Sequence, residues 1–208
     1  MRARQLLDRL MSCTVVLVLG CTQPRGDAPA VSNWQPATDV SGEVALELIA
    51  LPSLSGAAAT VQDQVRLRHA ALVQKQQDLR TPADEIGDAF GELGLILMAA
   101  EHYELAERCY TNALILAPAA MRWPYYLGHL HAIQGEGAKA ARFFARAHEL
   151  DPTDLPALIR LGEAFLDQSQ PEEAEQVFTR VLALAPTSAA ALSGIGRAAL
   201  VNSDASRA

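Results

Sequence analysis

Three prolines, Pro118, Pro152 and Pro186, recur at one constant interval, and each closes a segment of the same pattern. Twenty-four residues before each lies a glycine preceded by leucine: Leu93-Gly94, Leu127-Gly128 and Leu161-Gly162. Twelve residues after each glycine stands Ala106, Ala140 or Ala174, and four further on an aromatic, Tyr110, Phe144 or Phe178. Ile195-Gly196 opens a fourth cycle, whose alanine is Ala208. The period, the step from Pro118 to Pro152 and again to Pro186, confines the chain to a stack of similar units. One such unit cannot bury its own apolar face and needs a neighbour to do so.

Within a unit the apolar positions recur at helical intervals on two segments with a break between them. In the second unit Leu127, Leu130 and Ile133 lie on the first segment, and Ala140, Phe144 and Ala147 on the second. Gln134-Gly135-Glu136-Gly137 is the turn. Gly128 and Ala140 are expected to let the two helices approach, with Phe144 filling the space toward the next unit. Pro152 ends the second helix by removing a backbone donor. The composition suits close helix packing: half the residues are hydrophobic, yet only 5% are aromatic.

This pattern resembles the tetratricopeptide repeat family. Its series of Leu-Gly, aromatic, Ala, aromatic, Ala and Pro is nearly whole in residues 87–120 and 121–154. In 155–188 Val181 replaces one alanine, and 189–208 carry only the first helix and the opening of the second. The resemblance implies an all-α fold, a right-handed superhelical solenoid of antiparallel helix pairs with about 3.5 units.

Ahead of the array (81–208), residues 57–80 read as a capping helix outside the repeat register, with Val61, Val65, Leu72 and Leu79 near heptad spacing. Thr81-Pro82 is a helix start, N-cap then N1 proline, with Asp84 and Glu85 favouring the positive helix end. Glu43 to Leu51 is a short apolar helix or strand. At the other end Leu192, Ile195, Ala199 and Leu200 lack a partner helix. A truncated gene, a fragment, or a surface supplied by another chain each accounts for this.

In the family, ligands lie in a concave groove lined by the first helix of each repeat. The resemblance places Asp88, Gly91, Leu95 and Met98 on that wall in the first unit, and Arg122, Tyr125, His129 and Ile133 in the second. Ile159, Glu163, Leu166 and Asp167 follow from the third, then Ser193, Arg197 and Val201. Arg122, Tyr125 and His129 stand out, because aromatic and Arg side chains dominate binding hot spots. Family members that clamp the acidic tails of chaperones use Lys and Asn near positions held here by Gly91, Leu95, Tyr126 and Pro156. Only Arg160 fits, which argues against a carboxylate clamp.

No catalytic, cofactor or metal site is visible in the sequence. His129 and His131, two apart on a helix, point to different faces, and His131 falls on a core position. Glu172, Glu173 and Glu175 follow Pro171 at a helix start, where they favour the dipole. Cys109 reads as a small buried hydrophobe, and neither a Gly-rich phosphate loop nor a nucleophile elbow occurs.

Residues 1–21 read as a signal peptide: Arg2, Arg4 and Arg9 precede the apolar run Met11 to Leu19, too short to span a bilayer. Val18-Leu19-Gly20-Cys21 resembles a bacterial lipobox, which implies lipidation of Cys21. Stable anchoring then follows from more than one acyl chain on one terminus. Thr22 in place of Asp leans toward the outer membrane. Residues 22–56, with Pro24, Gly26, Pro29, Pro36 and Gly42, are expected as a flexible tether. Without the leader the chain has 14 basic and 23 acidic residues, a net charge of −9, which makes it a poor partner for nucleic acid.

The expected function is therefore a non-catalytic scaffold that binds a protein or peptide segment in the groove. The expected location is the cell envelope, with membrane contact through the lipid anchor only. A soluble cytoplasmic chain is the alternative address. The rival functions are the N-terminal module of a longer enzyme or cytochrome-type protein, and a unit that self-associates through its incomplete fourth repeat.

Overall fold

The computed structural model describes residues 46–51 and 53–205; the leader, Cys21 and Ala208 lie outside them. The described residues form eight helices: α1 (Ala59–Gln77), α2 (Ala83–Ala99), α3 (Tyr103–Leu116), α4 (Arg122–Ile133), α5 (Gly137–Leu150), α6 (Leu155–Asp167), α7 (Pro171–Leu184) and α8 (Ala189–Ala205). Helices α2/α3, α4/α5 and α6/α7 pair as hairpins, each packing on the next, while α1 covers α2 and α8 covers α6 and α7. The fold is the all-helical repeat solenoid that the period predicts. None of the helices described is long and apolar enough to cross a membrane.

Each hairpin reverses at the same register position. Glu101 (φ 62°), Gly135 (φ 76°) and Ser169 (φ 56°) are left-handed and stand one repeat period apart. Around them the amides of His102, Glu136 and Gln170 donate to Leu97, His131 and Phe165, five residues back. The left-handed residues themselves donate to Met98, Ala132 and Leu166. This paired pattern satisfies carbonyls that a helix end leaves orphaned. Ser203 holds that register in the fourth unit but stays helical, and its hydroxyl donates to the Leu200 carbonyl at 2.8 Å. Through Ala205 α8 therefore runs past the register at which the earlier hairpins turn, and the rest of the fourth cycle lies outside the described residues. No glycine relieves a left-handed turn there, and Leu192 and Leu200 remain exposed.

The repeat glycines are explained by the rings across from them. A Cβ on Gly94 would stand 2.8 Å from Tyr110, and on Gly128 or Gly162 2.7 Å from Phe144 or Phe178. Phe144 therefore fills its own hairpin over Gly128, and it shares the second apolar cluster with Leu158 and Leu161 of the next unit. Phe178 also reaches the next unit, since a Cβ on Gly194 of α8 would overlap its ring. Each such ring, buried fully, contributes about 1.5–3 kcal/mol.

Helix ends follow their sequence signals with small departures. Asp154 caps α6, accepting the Ala157 amide at 2.8 Å, and Pro171 opens α7 with Glu172 and Glu173 in its first turn. In α2 Pro82 itself is the N-cap position, and the expected Thr81 cap bond is absent there. Helix α1 buries Val65 and Leu72 but ends at Gln77, leaving Leu79 99% exposed. The break comes at Asp78, which turns extended and accepts the Arg80 amide at 3.0 Å.

Residues 46–51 are neither helix nor strand. The expected tether does not extend through them: Ile49 and Leu54 are buried in the first of two apolar clusters, which runs through α1–α4. The second runs from Ala140 to Ala198. The two clusters meet on α4, where Tyr126, packed on the first, meets Tyr125, packed on the second.

Candidate functional site

The first helices of successive hairpins bring a continuous polar and aromatic strip together. Arg122, at the start of α4, pairs with Asp88 of α2 and, at 3.7 Å, with Glu92. Glu92 also meets Arg68 of α1 at 3.8 Å. The Arg122 guanidinium lies 4.1 Å from the centroid of the buried Trp123 ring, a cation–π arrangement. Trp123 in turn occupies the space above Gly91, where any Cβ would overlap the ring.

One turn further along α4, Tyr125 meets His129 edge to face, with centroids 4.6 Å apart, and both meet Phe144. Tyr126 stacks on Tyr110 at 5.7 Å. From α6, Arg160 reaches this cluster. It donates to Glu163 at 2.7 Å and interacts with Tyr125. Burial, aided by the Arg160 charge and opposed by Glu163, holds the His129 imidazole below its ordinary pKa. The neutral ring is thus favoured, and the half-exposed His129 and Tyr125 offer aromatic edges beside paired charges.

The structure therefore assembles Asp88, Arg122, Tyr125, His129 and Glu163, and adds Glu92, Trp123 and Arg160. It does not assemble the rest. Gly91 is covered by Trp123, and Leu166 is buried in the second core. Leu95, Met98 and Ile159 are half-buried against core, and Met98 accepts the Tyr110 hydroxyl at 3.5 Å. Asp167 instead lines a recess of about 110 Å³ beside Gly135 and Gly137. Ile133, Ser193 and Arg197 are exposed and Val201 half-buried, outside the cluster. The signal for Trp123 and Tyr126 was the run Arg122-Trp123-Pro124-Tyr125-Tyr126, dense in aromatics in a chain with few.

His131 points away from this face. It is buried, stacks on Phe143 at 5.3 Å, and has Glu136 at 2.7 Å from Nδ1 and Glu107 at 3.6 Å from Nε2. It ties α3 to the α4–α5 turn. Cys109 is buried, and burial pushes its thiol up to about 12, so it is held as an unreactive thiol.

Comparison with known proteins places this geometry. Two tetratricopeptide repeat family models match, over residues 92–154 and 131–197, and together they run across half of the chain. The chain belongs to the tetratricopeptide repeat family.

Among solved structures it is similar to YrrB, described as a TPR protein with an unusual peptide-binding site. That match has 21% identity and a TM-score of 0.56, covering 70% of this chain and 74% of that one. It is similar to the Sgt2 TPR domain from Aspergillus fumigatus, with 26% identity, a TM-score of 0.52, and coverage of 59% and 82%. It is also similar to the first TPR of Spaghetti (RPAP3) bound to the HSP90 peptide SRMEEVD, with 22% identity, a TM-score of 0.53, and coverage of 56% and 93%. No curated protein matches the chain.

Proposed function

We propose that the chain is a non-catalytic scaffold that binds a segment of a partner protein along the strip from Asp88 to Glu163. The observation that carries this is the half-exposed Tyr125–His129 pair, set between the Arg122 and Arg160 ion pairs on the first-helix face. Aromatic and Arg side chains on rigid helices are the chemistry of binding hot spots. Relatives of the same fold that hold peptides support a peptide-like ligand. An acidic tail clamped by lysines is not that ligand. Gly91, Leu95, Tyr126 and Pro156 supply no cation, and Arg122 and Arg160 already face carboxylates.

A displayed peptide library selected on the full chain tests the reading. Tyr125→Ala with His129→Ala is expected to abolish binding of the selected peptides while helical circular dichroism is kept. Undiminished binding by that folded variant overturns it. The proposed address is the bacterial envelope, with Cys21 as the lipid site. Detergent-phase partition and N-terminal mass of the wild type beside Cys21→Ser test it. A second reading, self-association through α8, is favoured by exposed Leu192 and Leu200 and by the open space above Gly196. Concentration-dependent mass by light scattering tests that reading.

A further inference from the structure

A second surface, on the other helix of the first repeat, already holds a segment that is neither helix nor strand: the chain's own residues 46–51. Asn112 of α3 is fully buried. Its amide nitrogen donates to the Glu47 carbonyl at 2.8 Å, and its amide oxygen accepts the Glu47 N–H at 2.8 Å. This reciprocal pair reads main chain, in the way one strand reads another, and is indifferent to the side chain at that residue. Two features add selectivity. Arg108, one turn before Asn112, pairs with the Glu47 carboxylate at 3.3 Å, and Ile49, two residues on, enters the core. A recess of about 280 Å³ lined by Glu104, Glu107, Arg108 and Thr111 lies open beside Glu47.

Most side chains of the segment face solvent. Of residues 46–51, only Ile49 is buried and Leu51 half-buried, and Leu48 is 84% exposed. The position is also unlike its equivalents. One and two repeats on, the register of Asn112 carries Arg146 and Arg180, which are engaged by Glu149 and His148. A buried asparagine whose two amide groups meet peptide main chain is a feature of the first repeat alone among the three.

We propose that this Asn112–Arg108 surface is a second peptide-binding site. Its ligand is an extended partner segment with an acidic residue followed two positions later by a branched aliphatic one, and residues 46–51 occupy it until displaced. It is separate from the Tyr125–His129 strip, so neither reading depends on the other.

The test uses the full chain and a fluorescein-labelled peptide of residues 43–54. Ile49→Asp places a charge where the core is apolar and frees the site. The peptide is expected to bind this variant at least about tenfold more tightly than the wild type. Binding is lost when Asn112→Ala is added or when the peptide itself carries Ile49→Asp, and it is unchanged by Tyr125→Ala.

Absence of binding to Ile49→Asp that keeps its helical circular dichroism overturns the proposal. So does equal binding to both chains. A wild-type dimer that Ile49→Asp abolishes also overturns it, since the site then serves exchange between copies. Should that variant lose its fold, amide hydrogen exchange on the wild type decides. The Glu47 amide is expected to exchange at least about a hundredfold faster than the α3 core amides, reporting local opening. Exchange as slow as in α3 makes the segment a fixed part of the core and refutes the proposal.

Discussion

Gly128 and Gly196 occupy the same repeat position but meet opposite surroundings, so replacing each by alanine separates helix propensity from packing. Alanine is favoured over glycine in a helix interior by about 0.8–1.0 kcal/mol. At Gly196 nothing lies within 4 Å of a new Cβ, so Gly196→Ala is expected to stabilise by about 1 kcal/mol, or about 2–4 °C in Tm. At Gly128 the Cβ falls 2.7 Å from two ring carbons of Phe144 and 3.0 Å from a third.

That ring cannot swing aside like the end of a flexible chain. It is 1% exposed and is flanked by Tyr125 and His129. Overpacking of this kind costs about 1–3 kcal/mol, which cancels or exceeds the propensity gain. The two variants should therefore differ by about 1–3 kcal/mol, with Gly128→Ala the less stable. Urea titrations followed by helical circular dichroism measure the difference. Adding Phe144→Leu to Gly128→Ala should recover part of the loss, read as a coupling energy in a double-mutant cycle. Equal stabilisation by both alanines would refute the packing argument.

The left-handed turn positions predict the reverse preference: Glu101→Gly and Ser169→Gly should each stabilise by about 0.5–1 kcal/mol, and Gly135→Ala should destabilise by about 1 kcal/mol, in the same titrations. For His148, burial and then the Arg180 charge hold the imidazole below its ordinary 6.5. Its contribution is present above pH 6.5 and is lost as pH falls toward the folded-state value, because the unfolded chain takes up the proton first. Stability measured across that range should fall with pH, and His148→Gln should flatten the slope. Cys109, buried and with its thiol held protonated, should react with Ellman's reagent only after urea unfolding. Labelling of the native chain at the unfolded rate would contradict its burial.

The repeat period by itself determined the architecture. Glycine, alanine, aromatic and proline at fixed offsets leave two amphipathic segments and a turn in each cycle, and such segments bury their faces only by stacking. The turn at Gly135 was legible because glycine is free to adopt the left-handed conformation. Its equivalents Glu101 and Ser169 were not, since there the surrounding hairpin imposes a conformation that the residue type disfavours.

The partner of each repeat glycine was also beyond sequence spacing. Gly128 and Ala140 are both small, but only the packed hairpin puts the Phe144 ring between helices. Along the candidate strip, register placed Arg122, Tyr125 and His129 on one helix face. Tertiary structure decided that Trp123 covers Gly91, that Leu166 turns inward, and that Arg160 joins from α6. Residues 46–51 show the contrast most sharply. Their apolar run suits a helix or a strand equally, yet they form neither, and what holds Glu47 in place is a buried amide 65 residues away. A periodic pattern encodes contacts within and between neighbouring repeats, whereas a segment outside the period takes its conformation from whichever surface it meets.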